Sequence, residues 1–222
     1  MPARRSFVSV ALVLAVSMLG LAGAARAQDD TRPNSLVPGA WALQFQVGEN
    51  FNLTSFEGSS ISIKKQLSAE SALRFGLSPF VRTADFEDES GAGDSLTAEQ
   101  DMDSFSLGLS LHMLRYVRPG STVNLFWGVG PEVSYRHESH RSENGIVIDD
   151  DFEVWQAGLV GLVGVEWFAT RSLGLHGEYG TSLFYSSVES ERRVDDVEVV
   201  EQSQSAWSFG GSGVKVGASL YF

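Results

Sequence analysis

The chain has 222 residues, a formal charge of −12 at pH 7, and no cysteine. The acidic balance excludes nucleic-acid binding, which needs a basic face. The missing thiols exclude disulfides, thiolate metal sites and a cysteine nucleophile.

Met1 to Ala27 does not read as part of a fold. It has a basic start (Arg4, Arg5), an apolar run from Phe7 to about Leu21, and an Ala25-Arg26-Ala27 site before Gln28. This predicts a cleaved secretory signal peptide over 1–27, with cleavage between Ala27 and Gln28. Cleavage removes three arginines and no acid, so the charge becomes −15 on 195 residues, a length that fits one domain. Residues 28–39 read as a short lead-in and 40–222 as the domain.

After residue 27 no apolar run is long enough for a membrane-spanning helix, but a tilted β-strand needs only about 9–11 residues to cross. The dominant period is two. In Ser104–Met113, Phe105, Leu107, Leu109, Leu111 and Met113 share one parity, while serines, Gly108 and His112 share the other. Successive strand residues point to opposite faces, so one face is continuously apolar and the other small and polar. Strands are predicted over 41–48, 60–67, 72–81, 104–116, 123–135, 154–168, 173–185 and 207–222. Three connections are tight (68–71, 117–121, 169–172). Four are long (49–59, 82–103, 136–153, 187–205), and they read as loops, with Val194–Val200 extending the last hairpin. The long connections hold 22 of the 28 acids.

Strands this poor in acid do not suit a soluble sandwich, whose solvent face would carry charge. In hydrocarbon every backbone amide and carbonyl must be paired, so strands cross only as a closed ring. The prediction is an all-β, eight-stranded antiparallel up-and-down transmembrane β-barrel, apolar face to lipid. Aromatic residues on that face gather near strand ends: Trp41, Trp167 and Phe222 at the turn end, Phe105, Tyr135, Trp155 and Tyr185 at the loop end. Trp127 and Tyr179 fall between. Lys65 and Arg115, the cations of lipid-facing parity, lie beside turns, where they can snorkel. The opposite parity is rich in glycine (Gly108, Gly128, Gly130, Gly174, Gly180, Gly213, Gly217), which suits a narrow, filled lumen.

The final stretch, Val214-Lys215-Val216-Gly217-Ala218-Ser219-Leu220-Tyr221-Phe222, resembles the closing strand of outer-membrane barrels. Gly164-Val165-Glu166-Trp167-Phe168-Ala169-Thr170-Arg171-Ser172-Leu173, followed by Gly177-Glu178-Tyr179, resembles a hairpin of the small "outer membrane protein β-barrel domain" group. The resemblance spans residues 40–222. It implies an integral protein of a Gram-negative-type outer membrane, with external loops and both termini in the periplasm. It also implies that Leu220 and Phe222 form an assembly signal read by the barrel-insertion machinery, and that outer-membrane lipid is a partner. It implies no chemistry.

Six charged residues have inward parity: Lys64, Arg74, Glu132, Glu166, Glu178 and Lys215. They form an ion-pair network plugging the lumen, or they line a wet pore. An eight-stranded interior is just wide enough for side chains to fill it, which favours the plug. Glu178 and Lys215, at mid-height on neighbouring strands, are the expected pair. His112 and His176 are also inward and read as hydrogen-bonded fillers, since no spacing suggests a metal ligand set.

His137-Glu138-Ser139-His140 is the catalytic-looking string. Its His-x-Ser spacing loosely matches a barrel lipid A deacylase, but it sits at the start of a charged loop, and His140 replaces that family's asparagine. Acids crowd the second loop (Asp85, Glu87, Asp88, Glu89, Asp94) and the third (Asp149, Asp150, Asp151). They read as solvated loops or as carboxylates for divalent cations bridging surface lipid. No cofactor is implied. The leading expectation is a non-enzymatic barrel with a structural, surface-interaction or envelope-integrity role. A narrow passive channel comes second and an outer-leaflet lipid hydrolase third.

Overall fold

The structure, a computed structural model, describes residues 33–48, 51, 57–89, 97–143, 146–194 and 197–222. The signal segment, with Ala27 and Gln28, lies outside them, as does Asp94. Eight strands follow in order: β1 (Trp41–Gly48), β2 (Ser59–Ser68), β3 (Ser71–Glu89), β4 (Thr97–Tyr116), β5 (Val123–Glu143), β6 (Val147–Phe168), β7 (Leu173–Val194) and β8 (Val197–Tyr221). Each pairs antiparallel with its sequence neighbours, and β1 pairs with β8, closing the ring.

The register is strongly staggered. A path of direct partners runs Phe45, Ile61, Leu77, Leu109, Val133, Ala157, Tyr185, Trp207 through the eight strands. Phe45 itself pairs with Ala218 on β8. One circuit therefore climbs from Ala218 to Trp207, which means steeply tilted strands around a narrow interior. The residues on this path are the apolar parity of the sequence, and they spiral round the outside of the wall. The outward face carries Phe45, Phe75, Leu111, Val129, Val163 and Val216, all exposed, whereas Gln44, Lys64, Arg74, His112, Glu166 and Ser219 are buried inside. This inverts a soluble protein: apolar side chains are out and charges are in.

At the turn end Trp41, Trp167 and Phe222 are exposed, and Lys65 Nζ lies 5.0 Å from the Trp41 ring centroid. At the loop end Tyr135 packs at a tilt against Trp155 and Tyr185 against Trp207, at 4.6 and 5.4 Å between centroids. These rings and Phe105 make the second belt. Trp207 joins it although its parity differs from that of Val214, Val216 and Leu220. Between Tyr179/Val214 and Thr181/Gly211 the pairing slips, and Gly213 adopts φ 73°. This is a β-bulge with a glycine at the left-handed position. The bulge resets the parity of β8 before it, so both halves of the strand turn their rings outward.

Three of the four long connections are corrected. Among the described residues the strands run on through 82–89, 97–103, 136–143, 147–153, 187–194 and 197–205, and the last hairpin extends as the Val194–Val200 alternation implies. Above the belt both faces of a strand meet water, so the apolar alternation that marks a strand in sequence is lost there. β1 and β2 do not share this extension. Their pairings with β8 and β3 end at Gly48↔Lys215 and Ile61↔Leu77. Among the described residues, the wall above that level is a six-stranded sheet, β3 to β8. Trp207 and Phe209, on its β8 margin, are the most exposed large apolar side chains at 70% and 79%.

Pro131 interrupts the β4–β5 ladder. Direct partners jump from Ser110↔Glu132 to Met113↔Val129, and a proline has no N–H to donate. The neighbouring Gly130 sits against β4 so closely that a Cβ there would collide with the Leu111 carbonyl oxygen. Gly130→Ala must push two strands apart. It is expected to lower stability by about 1–3 kcal/mol, the usual cost of overpacking, measured as a reduced urea midpoint for the refolded barrel.

Candidate functional site

The lumen is built in layers. At the turn end the lead-in folds back across the mouth. Asn34 Nδ2 donates to the carbonyls of Pro119 (2.8 Å) and Ser121 (2.7 Å), and Ser35 Oγ donates to the Arg171 carbonyl at 2.7 Å. Two turns thereby hold Leu36, which is completely buried. It caps an apolar cluster of Ala42, Ala72, Leu114, Phe126, Phe168 and neighbouring rings. Small residues opposite large ones make room for it: a Cβ on Gly164 would lie 2.5 Å from Phe126 Cζ.

Above the cluster is the first ion pair. Lys64 Nζ lies 3.1 Å from Glu166 Oε2, with side chains 1% and 0% exposed. Lys64 also donates to the Tyr116 hydroxyl at 2.7 Å, which donates on to Glu166 at 3.0 Å. Tyr221 donates to the same carboxylate at 2.9 and 3.0 Å. The buried carboxylate thus accepts from one ammonium and two phenols, the full pairing a desolvated charge requires. The lysine stem also places Nζ 4.8 Å from the Tyr221 ring centroid.

The second pair corrects the sequence expectation. Glu178 and Lys215 are direct cross-strand partners, yet the Glu178 carboxylate is gripped by Arg74 from across the lumen. Nη1 to Oε2 is 2.7 Å and Nη2 to Oε1 is 3.2 Å. A planar guanidinium matches both carboxylate oxygens at once, which a lysine ammonium cannot do. Of the six inward charges, four form these two pairs. Glu132 and Lys215 have no ion-pair or hydrogen-bond partner among the described residues.

Those two face a pocket of about 60 Å³ above the second pair, lined among others by Gln46, Arg74, Ser110 and His112. His112 also departs from its expected role as a hydrogen-bonded filler. It is 4% exposed, and neither ring nitrogen has a partner. His176 does reach one, Ser219 Oγ at 3.1 Å. Sequence parity gave no sign of the lead-in cap. Its only trace was Leu36, an apolar residue between Asn34-Ser35 and Pro38.

The His137 string lies within β5, not in a loop, because the strand continues to Glu143. His137 pairs across the ladder with Glu153, Nδ1 to Oε1 at 3.8 Å, on the exposed surface. Ser139, two residues on, makes no hydrogen bond to His137 among the described residues. An activated serine needs that contact to its base. Further along, Arg192 holds Asp150 through two bonds of 2.6 and 3.0 Å, and the Asp150 carboxylate raises the guanidinium pKa above its ordinary value. Among the described residues no cluster of His, Asp and Glu is arranged to hold a metal.

No protein-family model matches the sequence, and no curated protein matches it. Solved structures do. A major outer membrane protein from Thermus thermophilus aligns with TM-score 0.54 and 15% identity, over 83% of this chain and 99% of that one. The chain has the fold of an eight-stranded outer-membrane β-barrel. CarO of Acinetobacter baumannii aligns with TM-score 0.37 and 13% identity over 85% of this chain and 100% of its own. Ail, the attachment invasion locus protein of Yersinia pestis, aligns with TM-score 0.37 and 13% identity over 84% and 100%. The outward apolar belt is the outer wall of this fold, and the charged lumen is its interior.

Proposed function

We propose that this barrel is a non-enzymatic integral protein of a Gram-negative-type outer membrane, with a structural or surface-interaction role and a lumen closed to solutes. The observation that carries the reading is the stack inside. Leu36 and an apolar cluster close one mouth, and two buried ion pairs cross the ring above them. The orientation follows from connection length: outer-membrane barrels turn tightly in the periplasm and extend outside. The tight connections and the lead-in are therefore periplasmic. The strand extensions, rich in acids and in cross-strand pairs such as Arg192–Asp150, project outward as the contact surface. Their remaining carboxylates suit divalent cations at an anionic lipid surface. The closing strand, with Leu220 and Phe222, suits recognition by the insertion machinery.

Planar-bilayer recording tests the closed lumen. The purified full-length barrel is expected to insert without steady ion conductance. Steady, reproducible steps would overturn the reading in favour of a narrow passive channel.

A further inference from the structure

The pocket above the Arg74–Glu178 pair has a wall chemistry that the plug does not explain. An ion-pair plug pairs its charges in contact, but among the described residues Glu132 on β5 and Lys215 on β8 make no ion pair within 4 Å and act on each other only at longer range. They face one cavity together with Gln46, Ser110 and His112. Of the polar atoms buried at its wall, both His112 ring nitrogens are without a hydrogen-bond partner among the described residues. Buried polar groups without partners cost free energy, so a wall that keeps two of them beside two charges out of contact suits a polar guest. Arg74 cannot serve as the free cation, because Glu178 takes both arms of its guanidinium. The charges left to a guest are one positive and one negative. The interruption of the β4–β5 ladder at Pro131, beside His112, falls in this part of the wall.

The geometry points to a binding site for a small zwitterion that carries one carboxylate and one ammonium, as an α-amino acid does. The carboxylate goes to Lys215, with His112 and Gln46 as further donors. The ammonium goes to Glu132, with the Ser110 hydroxyl accepting beside it. Val160 and Phe184 supply an apolar edge. A single anion would leave Glu132 unpaired and a single cation would leave Lys215 unpaired, so neither satisfies the wall. Size sets a second limit. At roughly 10–15 Å³ per water, a cavity of about 60 Å³ holds a few waters or one molecule of five or six heavy atoms. Glycine fits this limit, and larger side chains would have to project toward the loop end. The site adds a ligand class to the surface-interaction reading. It requires the pocket to hold a guest, not the lumen to be sealed against ions, so binding and conductance fail separately.

The test uses the full barrel refolded in detergent, labelled with ¹⁵N-histidine, with glycine as the probe. Acetate and methylammonium serve as its two halves. Glycine is expected to shift the His112 ring nitrogens saturably up to about 100 mM, enough to fill a site of about 1 mM affinity. Each half-molecule is expected to bind at least tenfold more weakly. Glu132→Gln and Lys215→Met should each cost about tenfold in glycine affinity, and the exchange Glu132→Lys with Lys215→Glu should restore it. A His112 signal unmoved by glycine would mean a water-filled pocket and overturn the proposal. So would acetate acting as strongly as glycine, or glycine binding indifferent to both single substitutions.

Discussion

Lys64→Met is expected to lower the stability of the refolded barrel by about 3–5 kcal/mol, the usual cost of removing one partner from a buried pair. Methionine matches the lysine stem in length and leaves little void. What it removes is the cation that touches Glu166, whose side chain is 0% exposed. The two phenols that remain, Tyr116 and Tyr221, can hydrogen-bond the carboxylate but cannot balance its charge. Glu166 must then ionise unpaired or take up a proton, and both weaken folding at neutral pH. The partner experiment is Lys64→Met with Glu166→Gln. Glutamine keeps an oxygen for the two hydroxyls and carries no charge, so most of the loss should return. The cost of the single variant lies in the orphaned charge rather than in the net worth of the pair. Urea midpoints in detergent or vesicles, followed by tryptophan fluorescence, provide the measurement. An unchanged midpoint for Lys64→Met would mean that water already reaches Glu166.

How much of this was legible in the sequence depends on what each strand face meets. Between the belts one face meets oil and the other a narrow polar interior, so the period-two signal is strong. All eight strands and their antiparallel order follow from it. Above the belt both faces meet water, and the same backbone continues through Arg136–Glu143 and Val147–Glu153 with no apolar alternation to announce it. The parity of β8 failed at one residue for a local reason: the Gly210-Gly211-Ser212-Gly213 run hides a bulge that only register reveals. Sequence also identified all four members of the buried pairs but chose the wrong cation for Glu178. Parity and neighbour order place Lys215 beside it. They say nothing about a side chain reaching across the ring from β3, and in a barrel this narrow that reach is short. The lead-in cap was illegible because it depends on carbonyls presented by Pro119, Ser121 and Arg171, three residues in two distant turns.

The choice of cation gives the second large effect. Arg74→Met should destabilise the barrel by about 3–5 kcal/mol, because it leaves Glu178, 6% exposed, without the fork that holds both its oxygens. Lys215→Met should change stability by no more than about 1 kcal/mol, since a half-buried lysine without a partner gives up little when removed. The two variants remove the same charge from the same lumen, so a general field effect would make them equal. A local pair makes them differ severalfold. Had neighbour order decided the pairing, the ranking would be reversed, with Lys215→Met the damaging change. Arg74 also forms part of the wall of the pocket above it. Its loss should therefore disturb two layers at once: the plug directly, and the His112 environment through the missing guanidinium. Lys215→Met should disturb only the upper one. Unfolding midpoints rank the two variants, and the His112 ring signals separate the layers. Equal midpoints would show that Glu178 reaches enough water to need no cation, and the lumen would then be a wet passage at that height rather than a plug.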